Sequence, residues 1–163
     1  MSGGGPTRNR DLLLAVAAKI EAEPLRHTQG AWHLDLADPA DRDALICYLH
    51  AEDRSDNVAR VPACGSAGCA FGWAAELAGG VWHEARRVWL VPELDDPPEH
   101  VYARPGCAPH VYASDRARRV LGLTAEEAKA LSDGDLPHDD TVTLLRSLAD
   151  GEELRVPRMP PRA

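Results

Sequence analysis

The stretch Ala63–Gly80, ACGSAGCAFGWAAELAGG, decides the fold. It is the one long apolar run that also carries two cysteines and a tryptophan. Ser66 has a hydroxyl that can accept an orphan backbone N–H at a helix start. Gly79 and Gly80 can end a helix in the left-handed conformation that costs glycine little. Between these ends Ala70, Trp73, Ala74 and Leu77 recur at helical spacing, and Phe71, Ala75 and Ala78 widen the stripe. Glu76 is the one charge, so the helix is expected to be enclosed on most sides. Its small residues, Gly68, Ala70, Gly72, Ala74 and Ala75, admit neighbouring backbone closely. The spacing therefore predicts a central core helix.

The surrounding composition suits one domain. A chain of 163 residues, 44% apolar and 27% charged, is long enough to bury a real core. Alanine and leucine dominate the apolar set and there is a single Phe, a bias towards helix over sheet. The expected architecture is mainly α: five or six helices around the buried one, with a small β-hairpin. Residues 8–153 are read as one globular domain, with flexible tails at 1–7 and 154–163. The net charge of −8 is opposite to the footprint of a nucleic-acid binder. The excess is local, since residues 124–153 hold nine carboxylates against Lys129 and Arg146. Arg8 and Arg10 at one end, and Arg155, Arg158 and Arg162 at the other, read as solvated basic tails. No apolar run is long enough to span a membrane, and Lys19 and Glu21 interrupt the N-terminal run, so a cytoplasmic protein is expected.

Outward from the centre, a helix is expected from about Asn9 to Ala22, stopped by Pro24. Asp38-Pro39 is a cap followed by proline at the first helical position, opening a helix to about His50 that buries Leu45, Ile46 and Leu49. Val81–Val91 reads as a hairpin turning at Glu84-Ala85-Arg86, with Trp82 and Trp89 placed to pair across it. Residues 95–109 hold four prolines and read as an irregular loop. Ser114 is expected to cap a helix ended by Gly122, Thr124 and Glu127 form a capping box, and a last helix runs from Asp140 to Gly151.

Three pieces of sequence carry a resemblance: Glu23–Trp32 (EPLRHTQGAW), Cys64–Ala74 (CGSAGCAFGWA) and Leu121–Ala128 (LGLTAEEA). In this order they resemble a family of small, functionally uncharacterised proteins of actinobacteria and their phages. That family has a Pro-x-x-His-x-Gln motif, a Cys-Gly-Ser/Thr-x-x-Cys segment running into Gly-Trp-Ala, and a Leu-Gly-Leu-Thr helix pair. Phe71 departs from it, standing where the family tends to have alanine. The resemblance covers most of the chain and implies a phage-related context without implying an activity.

The chemistry-bearing residues begin with the cysteines. Cys47 and His50 form a Cys-x2-His pair, as do Cys107 and His110, and with Cys64 and Cys69 they offer six candidate ligands for a tetrahedral zinc. Against this, a free cysteine commonly packs as a small hydrophobe. A Cys64–Cys69 disulfide or redox pair is a further reading, because a thiol at a helix N-terminus is expected to ionise more readily. Seven histidines, His27 and His83 among them, supply possible bases for a thiol nucleophile. No phosphate loop or calcium loop is present. The helix pair around Gly122 lacks the basic side chains a DNA reader needs. The reading that follows is a non-enzymatic accessory protein acting through protein–protein contacts. The alternatives are a small protein with structural zinc, or a thiol-dependent enzyme or redox switch.

Overall fold

The structure is a computed structural model and describes residues 6–83 and 86–154. Most of both expected tails, including Arg155, Arg158 and Arg162, and the Glu84-Ala85 turn lie outside the described residues. The architecture is mainly α, with six α-helices and two small sheets among the described residues. Helix α1 (Arg10–Ala22) opens on Asn9, whose side chain accepts from Leu12 N. After a 3-10 turn at Pro24–Arg26 and strand β1 (Leu34–Asp35), α2 (Pro39–Ala51) opens on Asp38 and proline as expected. Strand β2 (Ser66–Ala67) pairs antiparallel with β1 and leads into α3 (Ala70–Leu77). Strands β3 (Trp82–His83), β4 (Arg86–Leu90) and β5 (Val111–Tyr112) make the second sheet in that order. Helices α4 (Ala113–Leu121), α5 (Ala125–Leu131) and α6 (His138–Ala149) finish the chain. No helix among the described residues is long and apolar enough to cross a membrane.

Helix α3 is the centre the sequence predicts. Ala70 to Ala75 are all buried, and α3 packs against α1 and α4 while α1 also lies along α6. One apolar cluster joins Leu13, Val16 and Ile20 of α1 to Phe71 and Trp73, to Leu121 and Leu131, and to Leu145 and Leu148. The ends of α3 differ from the expectation. Ser66 is drawn into β2, and the cap is Cys69, whose Sγ accepts from Gly72 N at 3.5 Å. Leu77, expected on the buried stripe, is 44% exposed because the helix ends there. The Gly-rich motif owes its composition to close approach. Thr28 N donates to Gly68 O, Gly68 N to Arg26 O and Cys69 N to Ala31 O, so residues 26–32 lie directly on the helix start. A Cβ at Gly72 would overlap the Trp32 carbonyl. Gly72→Ala is therefore expected to cost about 1–3 kcal/mol through a forced backbone shift. Urea titration measures it, and a midpoint equal to the wild type would show that Trp32 does not sit there.

Five further expectations are corrected. The hairpin is extended by β5, which pairs Trp89 with Tyr112 and Leu90 with Val111. Trp82 lies opposite Leu90, not Trp89, because the register shifts between Trp82 and His83. The chain enters α4 straight from β5, so Tyr112 and not Ser114 is the cap, and α6 starts at His138, two residues before Asp140. Arg8 is no solvated tail. Its Nη2 lies 2.7 Å from Glu127 Oε1, and its Nη1 donates to the carbonyls of Leu148 and Glu152. Glu127 also closes the capping box of α5, so Arg8 fastens α1's approach to α5 and α6. These hydrogen bonds outweigh burial and hold the Glu127 carboxyl below its ordinary range.

Candidate functional site

The six cysteine and histidine candidates do not converge. Cys47 is exposed on α2, contrary to a packed helical thiol, and Cys64 is exposed in the loop before β2. His50 shares a 2.7 Å hydrogen bond with Ser55 Oγ at the end of α2. Cys69 is buried and caps α3. Cys107 and His110 are brought into one hollow by the 102–112 loop, which leaves two of the four ligands a tetrahedral zinc needs. Among the described residues no group of three or more His, Cys, Asp or Glu is placed to hold a metal. The expectation of an easily ionised Cys69 is overturned. Burial outweighs the hydrogen bonds of the helix start and pushes this thiol up to about 11.

The polar group that the fold does organise is built on the Pro24-x-x-His27-x-Gln29 motif. In an extended segment residues two apart share a face, so His27 and Gln29 turn together into the molecule. Both are buried, at 0% and 4% exposure. Gln29 Oε1 accepts from Ala70 N at 3.0 Å, and its Nε2 donates to Leu131 O at 2.9 Å and Asp133 O at 3.3 Å. Backbone chemistry thereby fixes which end of the amide is oxygen. His27 Nε2, 3.1 Å from that oxygen, must be the donor. Burial, with the nearby charge on Arg54 and the His138 ring, lowers His27 to about 4 even though the Gln29 bond opposes the shift. The ring is therefore neutral near pH 7, and its Nδ1 is a bare acceptor. His138 Nδ1 lies 2.8 Å away and must supply the proton. Burial first, and Arg54 second, lower His138 as well, so its ring is also neutral. The hydrogen-bond chain ends at His138 Nε2, which is left with a lone pair and no partner among the described residues.

His138 is half-buried at the first residue of α6 and lines an open hollow of about 410 Å³ with Glu52, Arg54, Pro137 and Asp139. Arg54 donates through Nη2 to Pro24 O, while its Nη1 is buried without a partner. Tyr48 packs edge-on against His27 and its hydroxyl, raised by burial and by Glu52, reaches Leu136 O at 3.5 Å.

A second hollow, of about 550 Å³, opens on the β4–β5 sheet. Trp89 and His110 stack with ring centres 3.6 Å apart, Tyr112 meets both edge-on, and Tyr102 meets His110 and Tyr112. Arg104, Gly106, Cys107, Ala108 and His83 complete the lining, which among the described residues contains no carboxylate. His83 Nδ1 is buried and unpartnered among the described residues.

Sequence reasoning passed over His138, Arg54 and Gln29. The available signal was His138 directly after Pro137 at a helix start, together with the motif's own His-x-Gln spacing. No protein-family model, curated protein or solved structure matches the chain, so the likeness carried by its three motifs stands on those residues alone.

Proposed function

We propose that this protein is an accessory protein that works by holding another protein, and that the partner sits on the β4–β5 face. The observation that carries this is the distribution of exposed apolar side chains. Leu77, Val81, Val88, Val91, Leu94, Tyr102 and Tyr112 are the exposed large hydrophobics among the described residues, and all lie in residues 77–112. Leu77 ends α3, but the other six lie on the β3–β4–β5 sheet and the loops that adjoin it, and a set so grouped is what a contact surface presents. Exposed tyrosines beside a stacked Trp are the side chains that anchor interfaces. Charge selects the occupant. In a chain of net charge −8 this hollow has Arg104 and, among the described residues, no carboxylate, so it suits an extended segment carrying an aromatic side chain beside Asp or Glu.

Synthetic peptides alternating aromatic residues with Asp or Glu, and the same peptides with Lys in place of the acids, test the reading by tryptophan fluorescence. The acidic set is expected to bind at least about tenfold more tightly, a difference of about 1.4 kcal/mol. Arg104→Glu should reverse that preference, and Tyr102→Ala with Tyr112→Ala should weaken both by about tenfold or more. Equal binding of the two sets, or binding untouched by these changes, would remove the proposal.

A further inference from the structure

We propose that His138 is an acyl-accepting nucleophile: its Nε2 takes the acyl group of an activated, uncharged or cationic carboxylic ester in the hollow at the start of α6. This goes beyond the docking role and uses a different part of the molecule. The argument rests on the hydrogen-bond chain. Ala70 N–H and the Leu131 carbonyl orient Gln29, Gln29 takes the Nε2 proton of His27, and His27 Nδ1 takes the Nδ1 proton of His138. A neutral imidazole held in one tautomer, with its remaining lone pair accessible, is the arrangement a histidine base or nucleophile requires. His27 and Gln29 are positioning residues, since they act through His138.

The hollow supplies the rest of the step. The Nε2 lone pair forms a bond to the carbonyl carbon, and the carbonyl π pair moves to oxygen, whose negative charge is offset by the Arg54 guanidinium on the wall of the same hollow. The pair returns, the bond to the leaving oxygen breaks, and the leaving group departs with the electrons of that bond and takes a proton from solvent. The acylated ring carries positive charge, which the carboxylates of Glu52 and Asp139 on the same hollow stabilise. Water then adds to the acyl carbon, gives its proton to solvent, and the C–N pair returns to Nε2. Ester and water become acid and alcohol. The same two carboxylates against one Arg54 disfavour an anionic ester, which sets the substrate class.

Para-nitrophenyl acetate is the probe. At neutral pH the whole protein should release nitrophenolate on the order of tenfold faster than free imidazole at equal concentration, with a transient acetyl on the His138 peptide after acid quench. His138→Gln should bring release to the background, and His50→Gln should leave it unchanged. A para-nitrophenyl ester bearing a carboxylate on its acyl chain should react more slowly than the acetate. On the unaltered protein, nitrogen NMR of the histidines should place the His138 proton on Nδ1. Release no faster than free imidazole, release that survives His138→Gln, or a proton found on His138 Nε2 would each overturn the assignment.

Discussion

Trp73→Ala is expected to lower the stability of the protein by about 3–5 kcal/mol, the cost of removing a buried indole and leaving a cavity that its neighbours fill only in part. Trp73 is 5% exposed in the apolar cluster that α3 shares with α1, with Lys19 Nζ of α1 4.9 Å from the centre of its ring. Its immediate neighbours on α3, Gly72 and Ala74, have no side-chain length to swing into the space. A loss of this size is a large part of a typical domain's total stability, and for a chain of this length it lowers Tm by on the order of 10 °C. Thermal unfolding followed by circular dichroism measures it. A mutant melting within a few degrees of the wild type would show that α3 is not the organising centre of the core.

The helices were legible where a short-range hydrogen bond defines them. Asp38 accepts from a backbone N–H two residues on, and Thr124 and Glu127 satisfy each other across three, so local sequence contains all the participants. The positions that escaped reading depend on partners far along the chain. Strand β5 exists because Trp89 and Leu90 offer an edge to residues more than twenty positions later, and that pairing took Ser114's capping role away. Arg116 is 1% exposed inside an amphipathic helix, where sequence would put its charge in solvent. It is buried because Asp96 and Glu93, from a proline-rich loop, close around it. Arg116 and Arg119 in turn hold the Asp96 carboxyl below its ordinary range against the opposing effect of burial.

The candidate site shows the same limit more sharply. The Cys-x2-His pairs are conspicuous as spacing, yet one lies on α2 and the other on the 102–112 loop, and among the described residues neither gains a third ligand. His27 and His138 are 111 residues apart and share no motif, and the hydrogen bond between them arises only when residues 26–32 dock on α3 while α6 crosses beside them. The glycines at 68 and 72 encode that docking, so the motif carried the site's support more plainly than the site itself.

His27 makes the fold acid-sensitive in a range where its carboxylates are still ionised. Its ordinary value is 6.5 and in the folded chain it falls to about 4, chiefly through burial. The unfolded chain therefore takes up a proton between these values and the folded chain does not, so stability falls as pH falls. The contribution is fully present above about pH 6.5, is lost progressively down to about pH 4, and amounts to about 3 kcal/mol at about 1.4 kcal/mol for each pH unit of difference. His138, also lowered, adds loss in the same direction, since a second proton on the pair would set two N–H groups face to face. The carboxylates of Asp96 and Glu127 are also held low, so the unfolded chain again takes up the proton first and their share is lost in the same direction but further into acid. Urea unfolding at stepped pH separates the two. The wild type should lose about 3 kcal/mol across the histidine range, and His27→Gln, already weaker near neutrality, should show a nearly flat profile there while keeping the acid limb below about pH 4. A wild-type profile that is flat between about pH 6.5 and 4 would mean that His27 is not buried neutral against His138, and the tautomer chain built on it would fall with that result.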